Sequence, residues 1–309
     1  MNTKSIAILG CTGHVGKNLI FNFQKEKNFD LFLFSRHEQN IRKTITDFNL
    51  KDHFTIKNYE QFNESEYDAI INCIGISDPA KIIEVNNSIL EITEKYDNLV
   101  LDYLKKYPLV NYVNFSSGAV YGGDFISPVN SSTKIEIPNY KISPYTLSKI
   151  KSEIKHRNLK NFNIIDVRLF SFFSRYMDIN TKFLISEIVS SIKYDKKFVT
   201  NKIDIFRDYI NPEDLFNFIK ICINLNSNCG LDVYSKESVS KFSLLKYLEK
   251  HFNLKYEMKE DVSANSPTGI KKNYFSKSRE AAKFGFIPQF TSIETISQEL
   301  KHFLKSNLA

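Results

Sequence analysis

The sequence predicts an α/β protein built on a doubly wound parallel sheet. Short apolar runs alternate with longer amphipathic stretches through the first half of the 309 residues, an order typical of strands joined by helical crossovers. The apolar runs are nearly continuous, as expected of strands that are covered on both faces. A glycine-rich turn, "GCTGHVG", separates the first apolar run from the first amphipathic one.

The first half of the chain carries its strand and helix signals in regular order. Apolar runs predict five strands, at "SIAILG", "FDLFLFS", "YDAIINCIG", "LVNYVNFSS" and "FNIIDVRLF". Amphipathic stretches between these strands predict helices over residues 14–27, 82–106 and 143–157.

Beyond residue 170 the pattern loses this regularity. Helices are predicted over residues 180–194, 212–225 and 241–252, with polar loops between them. We therefore expect a first domain over residues 1–170 and a smaller C-terminal α/β domain over 171–309. The chain is expected to cross between the two domains.

The composition argues against several classes of protein. The chain is 42% hydrophobic, which allows a sizeable core, and 25% charged. Its net charge is +7, but lysines and acids are interspersed and form no basic block, so no nucleic-acid partner is expected. The first residues lack the long apolar region of a signal peptide, and no apolar run reaches the length of a membrane span. We expect a cytoplasmic protein with no membrane partner.

The cysteines favour neither a disulfide framework nor a metal site. Cys11, Cys73, Cys222 and Cys229 form no CxxC motif and have no histidine cluster beside them. We expect thiols in or near the core of a cytoplasmic protein, and we expect no bound metal.

The glycine turn predicts a dinucleotide site. Glycines allow a tight turn between strand and helix and let the backbone approach a pyrophosphate, which then faces the N–H groups of the helix N-terminus. The spacing G-x-x-G-x-x-G differs from the more familiar G-x-G-x-x-G. The residues expected to contact the cofactor from this turn are Gly10, Thr12, Gly13, His14, Val15 and Gly16.

The end of the second predicted strand indicates the type of cofactor. In NAD-binding proteins an acidic residue near this point holds the ribose hydroxyls. Here the strand ends in Ser35 and Arg36, and Arg36 stands 20 residues after Gly16. A guanidinium suits a 2′-phosphate because it is a planar, charged donor that also stacks on adenine. We therefore expect Ser35 and Arg36 to contact NADP(H), although Glu38 nearby leaves NAD open.

A serine, a tyrosine and a lysine suggest proton chemistry. "NFSSGAVYGG" follows a predicted strand, and "SPYTLSK" opens the next helix, where Ser143 can act as the N-cap. Tyr145 and Lys149, four residues apart, share one helical face. We expect the Lys ammonium to lower the pKa of the phenol, so that Tyr145 can protonate an alkoxide as hydride reaches a carbonyl carbon. A Ser hydroxyl of "NFSSGAVYGG" could then hold the substrate oxygen.

These motifs together resemble the NAD-dependent epimerase/dehydratase family of nucleotide-sugar enzymes, the extended short-chain dehydrogenases/reductases. The resemblance covers nearly the whole chain and implies a Rossmann-type first domain that binds the cofactor and a smaller domain that binds the sugar nucleotide. The matching pieces, in family order, are "GCTGHVG", "DAIINCIG", "VNNS", "FSSGAVYG", "YTLSK", "VRLF" and "RDYINPEDL", with weaker similarity in "FSKSREAAKFGFIPQFTSIE".

The resemblance also implies roles for individual residues. Ser117, Tyr145 and Lys149 correspond to the catalytic trio, with Lys149 also binding the nicotinamide ribose. Asn86 matches a helix position near the active site, and Arg207 matches an arginine that contacts the diphosphate of the substrate, although a surface ion pair with Asp208 stays open for it. The further residues that the resemblance implies are Cys73, Ile74 and Gly75 for the cofactor, and Gly118 beside Ser117, Tyr145 and Arg207 for the substrate.

Two absences narrow the reaction that the resemblance implies. Dehydratases of the family carry an Asp–Glu pair directly after the catalytic Ser or Thr, where this chain has Gly118 and Ala119. GDP-fucose-synthase-like enzymes carry a Cys two residues after the Ser, where Ala119 stands, and a distant His that has no counterpart in "RLFSFFSRYMD". Neither dehydration nor dual epimerisation is expected.

The expected reaction is reduction of a nucleotide-linked 4-keto-(6-deoxy)sugar by NADPH, with Tyr145 as proton donor. The sugar could be dTDP-, GDP-, CDP- or UDP-linked, and polysaccharide biosynthesis is one expected context. The alternatives are a nucleotide-sugar 4-epimerase with bound NAD, a reductase of a non-sugar carbonyl and a non-catalytic NADP-sensing protein. A homodimer through helices at about 88–106 and 143–157 stays open, because the charged stretch "KSEIKHR" argues against a purely apolar interface.

Overall fold

The computed structural model describes residues 3–47, 50, 54–76, 78–85, 88–122, 125–138, 142–260 and 271–305. Its strands, in chain order, are β1 (Lys4–Leu9), β2 (Phe29–Phe34), β3 (Thr55–Lys57), β4 (Ala69–Asn72), β5 (Asn111–Ser117), β6 (Ile164–Leu169), β7 (Ser171–Phe172), β8 (Phe198–Asn201), β9 (Phe206–Arg207), β10 (Tyr209–Ile210), β11 (Asn228–Asp232), β12 (Val239–Ser240), β13 (Tyr256–Lys259) and β14 (Asn273–Tyr274).

Its α-helices, in chain order, are α1 (His14–Phe23), α2 (Glu38–Asp47), α3 (Pro79–Val85), α4 (Ser88–Lys106), α5 (Pro144–Asn158), α6 (Leu184–Lys193), α7 (Pro212–Cys222), α8 (Lys241–Phe252) and α9 (Ser292–Lys305). Short 3₁₀ helices add Tyr59–Glu64, Gly118–Tyr121 and Glu280–Phe284. No helix of the described ranges is long and apolar enough to cross a membrane.

A seven-stranded parallel sheet forms the centre of the molecule and confirms the predicted fold class. Its strand order is β11-β6-β5-β4-β1-β2-β3, and every neighbouring pair in it is parallel. The order reverses between β1 and β4, whose last residues, Leu9 and Asn72, are register partners. Ligands of such sheets bind in the crevice outside the carboxyl ends of the strands at this reversal.

Both faces of the sheet are covered, as the continuous apolar strands predict. Ile6 and Ile8 of β1 join one hydrophobic core together with α1 and α7. Ala7 and Leu9, the alternate residues, join a second core on the opposite face together with α4. Because successive side chains of a strand point to opposite faces, this alternation requires helices on both sides.

The chain beyond β6 forms smaller sheets and a third core. The three-stranded sheet has the order β12-β9-β14, and two-stranded sheets pair β10 with β7 and β13 with β8. Helices α6, α8 and α9 pack around a separate hydrophobic cluster that includes Ile188, Leu245 and Leu300. The same part of the chain also returns β11 to the edge of the large sheet, beside β6.

Several element boundaries differ from the sequence predictions. The helix predicted over 14–27 ends at Phe23. The residues that follow, "QKEK", are polar and add no apolar side chain to the buried face of the helix. The helix predicted over 82–106 is described as α3 and α4, and the helix predicted over 180–194 begins only at Leu184. Asn86 lies outside the described residues.

Candidate active site

The glycine turn lies at the strand reversal, and its geometry requires glycine. Gly10 has φ +69°, and a Cβ there would lie 2.9 Å from the backbone of Cys73 and Ile74. A Cβ on Gly16 would lie 2.6 Å from the carbonyl oxygen of Gly10. The turn therefore packs tightly on itself and on the end of β4. Gly13, the N-cap of α1, is exposed, which leaves a backbone cradle at a helix N-terminus that fits a pyrophosphate.

His14, Val15 and Thr12 differ in their surroundings. His14 Nε2 lies 2.8 Å from Ser174 Oγ, and its ring centroid lies 4.7 Å from that of Phe172. Burial, with the charge of Lys17 acting in the same direction, lowers the pKa of His14 to about 3, so the imidazole is neutral at pH 7. Val15 packs against the core beside α1, and Thr12 is half-buried.

The tip of β2 presents one buried and one exposed residue. Ser35 is buried, and its Oγ accepts a hydrogen bond of 3.3 Å from the N–H of His37. Arg36 is exposed and makes no hydrogen bond or ion pair within the described residues. Glu38 lies 4.0 Å from Arg42 on α2, so its carboxylate has a cation of its own. The Arg36 guanidinium is therefore available to a ligand at the carboxyl end of β2.

Tyr59 was not predicted as a site residue, yet it contacts the glycine turn. The N–H of Gly10 donates a hydrogen bond of 3.2 Å to Tyr59 Oη, which donates in turn to the carbonyl of Phe34 at 3.4 Å. The ring packs against Tyr96 of α4, with centroids 4.6 Å apart. A tyrosine after a short third strand has no sequence signal of its own, because this contact spans 49 residues.

Helix α5 presents Tyr145 and Lys149 beside β5. Ser143 caps the helix by accepting a hydrogen bond of 3.1 Å from the N–H of Thr146, and Pro144 occupies its first position, as the sequence predicts. Lys149 is 5% exposed and donates a hydrogen bond of 2.8 Å to the carbonyl of Phe115.

Gly75, together with Cys73 and Ile74, brings the end of β4 to the same place. A Cβ on Gly75 would lie 3.7 Å from Lys149 Nζ. Cys73 and Ile74 form the wall against which Gly10 packs. The segment "CIG" therefore lies between the glycine turn and α5, where the sequence analysis expects cofactor contacts. Burial raises the pKa of the Cys73 thiol, which disfavours its thiolate.

Three hydroxyl groups meet at the end of β5. Ser117 Oγ accepts a hydrogen bond of 3.2 Å from the N–H of Ala119 and lies 3.1 Å from Tyr274 Oη. The Ser117 side chain also acts on the Tyr145 hydroxyl and lowers its pKa, against the effect of burial. Ser117 and Tyr145 were expected here from the sequence, whereas Tyr274 was not, because no local motif distinguishes it.

The expected effect of Lys149 on Tyr145 is not found. Burial raises the pKa of the Tyr145 hydroxyl, and the hydrogen bond with Ser117 opposes that shift only in part. Burial lowers the pKa of Lys149, while the carboxylates of Asp166, Asp97 and Glu153 oppose the change. The prediction that the ammonium lowers the phenol pKa was wrong for this structure, because Lys149 Nζ is directed to the Phe115 carbonyl.

Arg207 and Lys271 place two cations around the ring of Tyr274. The Arg207 guanidinium lies 5.8 Å and Lys271 Nζ 4.5 Å from the ring centroid. Arg207 Nη1 donates to the carbonyls of Phe206 at 2.7 Å and Lys271 at 2.8 Å. Arg207 therefore makes no ion pair with its neighbour Asp208. Lys271 was not predicted, and burial together with the charge of Arg207 lowers its pKa to about 8.

Gly118 directly follows β5 and packs against an aromatic wall. A Cβ at this position would overlap the ring of Phe170. Phe170 in turn packs against Tyr274, with centroids 5.2 Å apart. Gly118 therefore lets the wall approach Ser117, and no carboxylate follows Ser117 at positions 118 and 119. In the described part of the chain no group of three or more His, Cys, Asp or Glu residues could hold a metal ion.

Comparison with solved structures shows the same fold across nearly the full chain. A dTDP-glucose 4,6-dehydratase from Bacillus anthracis, in complex with NAD, matches with a TM-score of 0.79 and 16% identity over 98% of this chain and 97% of that chain. A UDP-glucose 4-epimerase from Thermotoga maritima, with UDP-glucose, matches with a TM-score of 0.80 and 13% identity over 97% and 99% of the two chains.

A third similar structure is the UDP-glucuronic acid 4-epimerase from Bacillus cereus, in complex with UDP-glucuronic acid and NAD. It has a TM-score of 0.77 and 16% identity over 97% of this chain and 99% of that chain. No curated protein matches the chain by sequence. A sequence profile, however, matches residues 6–230, which is more than half of the chain and includes the glycine turn, Ser117, Tyr145, Lys149 and Arg207. The chain therefore belongs to the NAD dependent epimerase/dehydratase family.

Proposed function

We propose that this protein is an NADPH-dependent reductase of a nucleotide-linked 4-keto sugar, in particular a 4-keto-6-deoxyhexose. The observation that carries the proposal is that Ser117 acts on the Tyr145 hydroxyl, lowering its pKa, beside Lys149, with Gly118 and Ala119 in place of any acid after Ser117. Hydroxyl groups can donate a proton to a carbonyl oxygen that becomes an alcohol. Elimination of water needs a carboxylate acid and base, which these two positions do not supply.

The chain's own residues divide the proton chemistry among them. A bound nicotinamide supplies the hydride that reaches the carbonyl carbon. The Tyr145 hydroxyl donates its proton to the carbonyl oxygen, and Ser117 donates a hydrogen bond to the same oxygen. The C=O bond becomes C–OH, and the phenolate left on Tyr145 regains a proton from solvent.

The high pKa of Tyr145 supports its role as an acid. A phenol whose pKa is raised by burial is fully protonated at pH 7, which is the state a proton donor needs at the start of a reduction. Reduction leaves Tyr145 as the phenolate, which must regain its proton before the next turnover. Lys149 is the buried cation that lies near the tyrosine, one helical turn away on α5.

Arg36 supports the preference for NADP(H). It stands at the carboxyl end of β2, exposed and without an ion pair, whereas Glu38 lies beside Arg42. A 2′-phosphate gives such a guanidinium a bidentate, charge-assisted partner. An enzyme that consumes its reduced cofactor in every turnover must also release the oxidised form and bind a new reduced one. An exposed cofactor site suits this exchange.

Arg207 and Lys271 support a substrate that carries a diphosphate. Both cations lie around Tyr274, which contacts Ser117, and neither has a carboxylate within ion-pair distance among the described residues. Two half-buried positive charges without a counter-ion are costly unless an anion binds between them. A nucleoside diphosphate sugar would provide that anion while its sugar reaches Ser117 and Tyr145.

A nucleotide-sugar 4-epimerase with bound NAD is the second candidate. The similar structures with UDP-glucose and with UDP-glucuronic acid and NAD favour it. An epimerase oxidises and re-reduces the same carbon, so it retains its NAD and needs none from outside. The two candidates therefore differ in cofactor retention and in net redox change.

One experiment separates these functions. The purified protein is denatured and its released dinucleotide is identified, and the native protein is then incubated with NADPH and a nucleotide-linked 4-keto-6-deoxyhexose. We expect the absorbance of NADPH at 340 nm, which reports the reduced nicotinamide, to fall. We also expect the 4-hydroxy sugar to form. Released NAD with interconversion of C4 epimers would favour the epimerase instead. Cofactor binding without turnover of any sugar nucleotide would favour an NADP-sensing protein.

A further inference from the structure

Two adjacent serines of β5 stand at the ends of one circuit of side-chain contacts. Ser117 contacts Tyr274, whose segment belongs to the far end of the chain. Ser116, the preceding residue, donates a hydrogen bond of 2.5 Å to Glu153 Oε1 on α5. The first contact is part of the candidate active site, whereas the second leads away from it into the protein.

From Glu153 the circuit continues through Arg168, a half-buried arginine. Arg168 of β6 donates to Glu153 through Nε, at 3.0 and 3.1 Å, and through Nη2, at 2.7 Å. Its Nη1 donates to Tyr121 Oη at 2.8 Å. Tyr121 Oη in turn donates to Asp232 Oδ1, at the end of β11, at 2.8 Å.

The circuit closes at Ser276, two residues after Tyr274. Ser276 Oγ donates a hydrogen bond of 2.5 Å to Asp232 Oδ2. The brace, as we name the contacts Ser116–Glu153–Arg168–Tyr121–Asp232–Ser276, thus begins beside Ser117 and ends beside the tyrosine that Ser117 contacts.

The brace is built into the core rather than formed on the surface. Glu153 is 2% exposed, Asp232 4% and Ser276 1%. A Cβ on Gly230 of β11 would overlap the Arg168 guanidinium, so the sheet leaves space for this side chain by having glycine there. Buried charges are retained only when they are paired and hydrogen-bonded, and removal of one partner leaves the others unsatisfied.

The segment that the brace holds carries several groups of the substrate side. β14 contains Tyr274 and pairs with β9, which contains Arg207. Lys271 precedes the strand, and its carbonyl accepts a hydrogen bond from Arg207. The position of residues 271–276 therefore sets where two cations and one hydroxyl lie relative to Ser117.

We infer that Arg168, Asp232 and Ser276 are positioning residues, which fix the segment carrying Tyr274 against the Ser117–Tyr145 pair and so set the geometry of the sugar-nucleotide site. The expected effect on turnover rests on the proposed function. The effect on the position of residues 271–276 does not depend on it. None of the three residues needs to contact substrate. Each acts through the segment that it holds.

The mildest test removes one hydroxyl from the brace. Ser276→Ala deletes the hydrogen bond to Asp232 and the one that Ser276 Oγ accepts from the N–H of Ser278, and it replaces one small buried residue by another. Ser278→Ala is the matched control, because Ser278 lies two residues away, is also buried, and makes no contact with Asp232. Both variants are compared with the wild-type protein by hydrogen exchange of a peptide that covers residues 272–277.

We expect exchange of this peptide to accelerate about tenfold or more in Ser276→Ala, since a hydrogen bond to a charged group is lost, and to stay near wild type in Ser278→Ala. We expect KM for the nucleotide sugar to rise about tenfold, while the dissociation constant of the dinucleotide, whose expected contacts at the glycine turn and the tip of β2 lie outside the brace, stays unchanged. A variant that is merely less stable would affect both ligands.

Unchanged exchange in Ser276→Ala, or equal acceleration in Ser278→Ala, would overturn the inference. Asp232→Asn is a second test from the other side of the same hydrogen bond, and it should reproduce the effect on residues 272–277. If the wild-type protein turns over no nucleotide sugar, the proposed function fails, and the exchange measurement still decides whether the brace holds this segment.

Discussion

The ammonium of Lys149 donates a hydrogen bond of 2.8 Å to the carbonyl oxygen of Phe115. This contact joins α5 to β5 two residues before Ser117, so the helix that carries Tyr145 and the strand that carries its hydrogen-bond partner are fixed to each other. A buried ammonium has few hydrogen-bond acceptors within reach. The bond to the Phe115 carbonyl therefore helps to keep Lys149 near Tyr145.

Tyr145→Phe should abolish most turnover while leaving the protein folded. Only one hydroxyl is lost, and a positioned general acid contributes about 100- to 10,000-fold to a rate. We expect kcat to fall by that factor and the dissociation constant of NADPH to remain within about twofold, measured by steady-state kinetics and by fluorescence titration. Tyr194→Phe, at an exposed tyrosine far along the chain, is the control. Near-wild-type turnover in Tyr145→Phe would remove Tyr145 from the mechanism.

Arg36→Ala should weaken NADP(H) binding and leave NAD(H) binding unchanged. Loss of charge-assisted hydrogen bonds to a 2′-phosphate corresponds to about a 10- to 100-fold rise in the dissociation constant. Arg42→Ala is a matched control, since Arg42 is an exposed arginine on α2 that lies beside Glu38. The affinities for both cofactors are measured by titration calorimetry. An equal change for NADP and NAD would place Arg36 away from the 2′-phosphate.

Stability should fall as the pH rises from about 6.5 to 10, because His156 is held as a cation. Its two ring nitrogens lie 2.7 Å from Asp97 Oδ1 and 2.9 Å from Asp166 Oδ1. Burial alone would lower the pKa of His156, but Asp166 and Asp97 outweigh it and raise the pKa from 6.5 to about 10. A raised folded-state pKa contributes stability that is fully present below the unfolded value and is lost as the pH passes the folded value.

The His156→Gln variant tests this linkage. We expect the wild-type free energy of unfolding to drop by a few kcal/mol between pH 6 and 10 relative to the variant, measured by urea unfolding. His251→Gln, at an exposed histidine on α8, should keep the wild-type slope. The same pH dependence in His156→Gln and in the wild type would mean that His156 is not charged in the folded protein.

Local patterns predict the parts of this protein that depend on neighbouring residues in the chain. Gly10 and Gly16 require close backbone contacts within one turn, and Tyr145 and Lys149 share a face because of helical spacing. Ser117, in contrast, was assigned through the family resemblance of "FSSGAVYG", and it is the last residue of β5. The seven-stranded sheet follows because its central strands are continuous apolar runs.

What the sequence does not reveal depends on contacts between distant segments. Tyr274 and Ser117 are 157 residues apart, and the segment around Tyr274 has no periodicity that places it at the active site. β11 escapes prediction because "NCGLD" is short and its glycine makes room for Arg168. The pKa of Tyr145 also could not be predicted, because burial by the assembled fold raises it and the effect of Ser117 opposes that shift only in part.

Affinity for a diphosphate should fall as the pH rises above about 8, because Lys271 loses its proton. Burial and the charge of Arg207 lower the pKa of Lys271 from 10.5 to about 8. Below that pH both cations are available to an anion, whereas above it Arg207 alone is charged. Binding of the anion favours the protonated lysine, so binding at pH 9 must take up a proton and becomes weaker.

Titration calorimetry with UDP at pH 7 and pH 9 measures this change in the wild-type protein and in Lys271→Gln. We expect the dissociation constant of the wild type to rise several-fold between the two pH values and that of Lys271→Gln to be weaker at pH 7 and nearly independent of pH. Lys272→Gln is the matched control, because Lys272 is the exposed neighbour in the chain and should retain the wild-type response. A pH response that survives in Lys271→Gln would assign the titration to another group, and Lys271 would then have no part in binding the diphosphate.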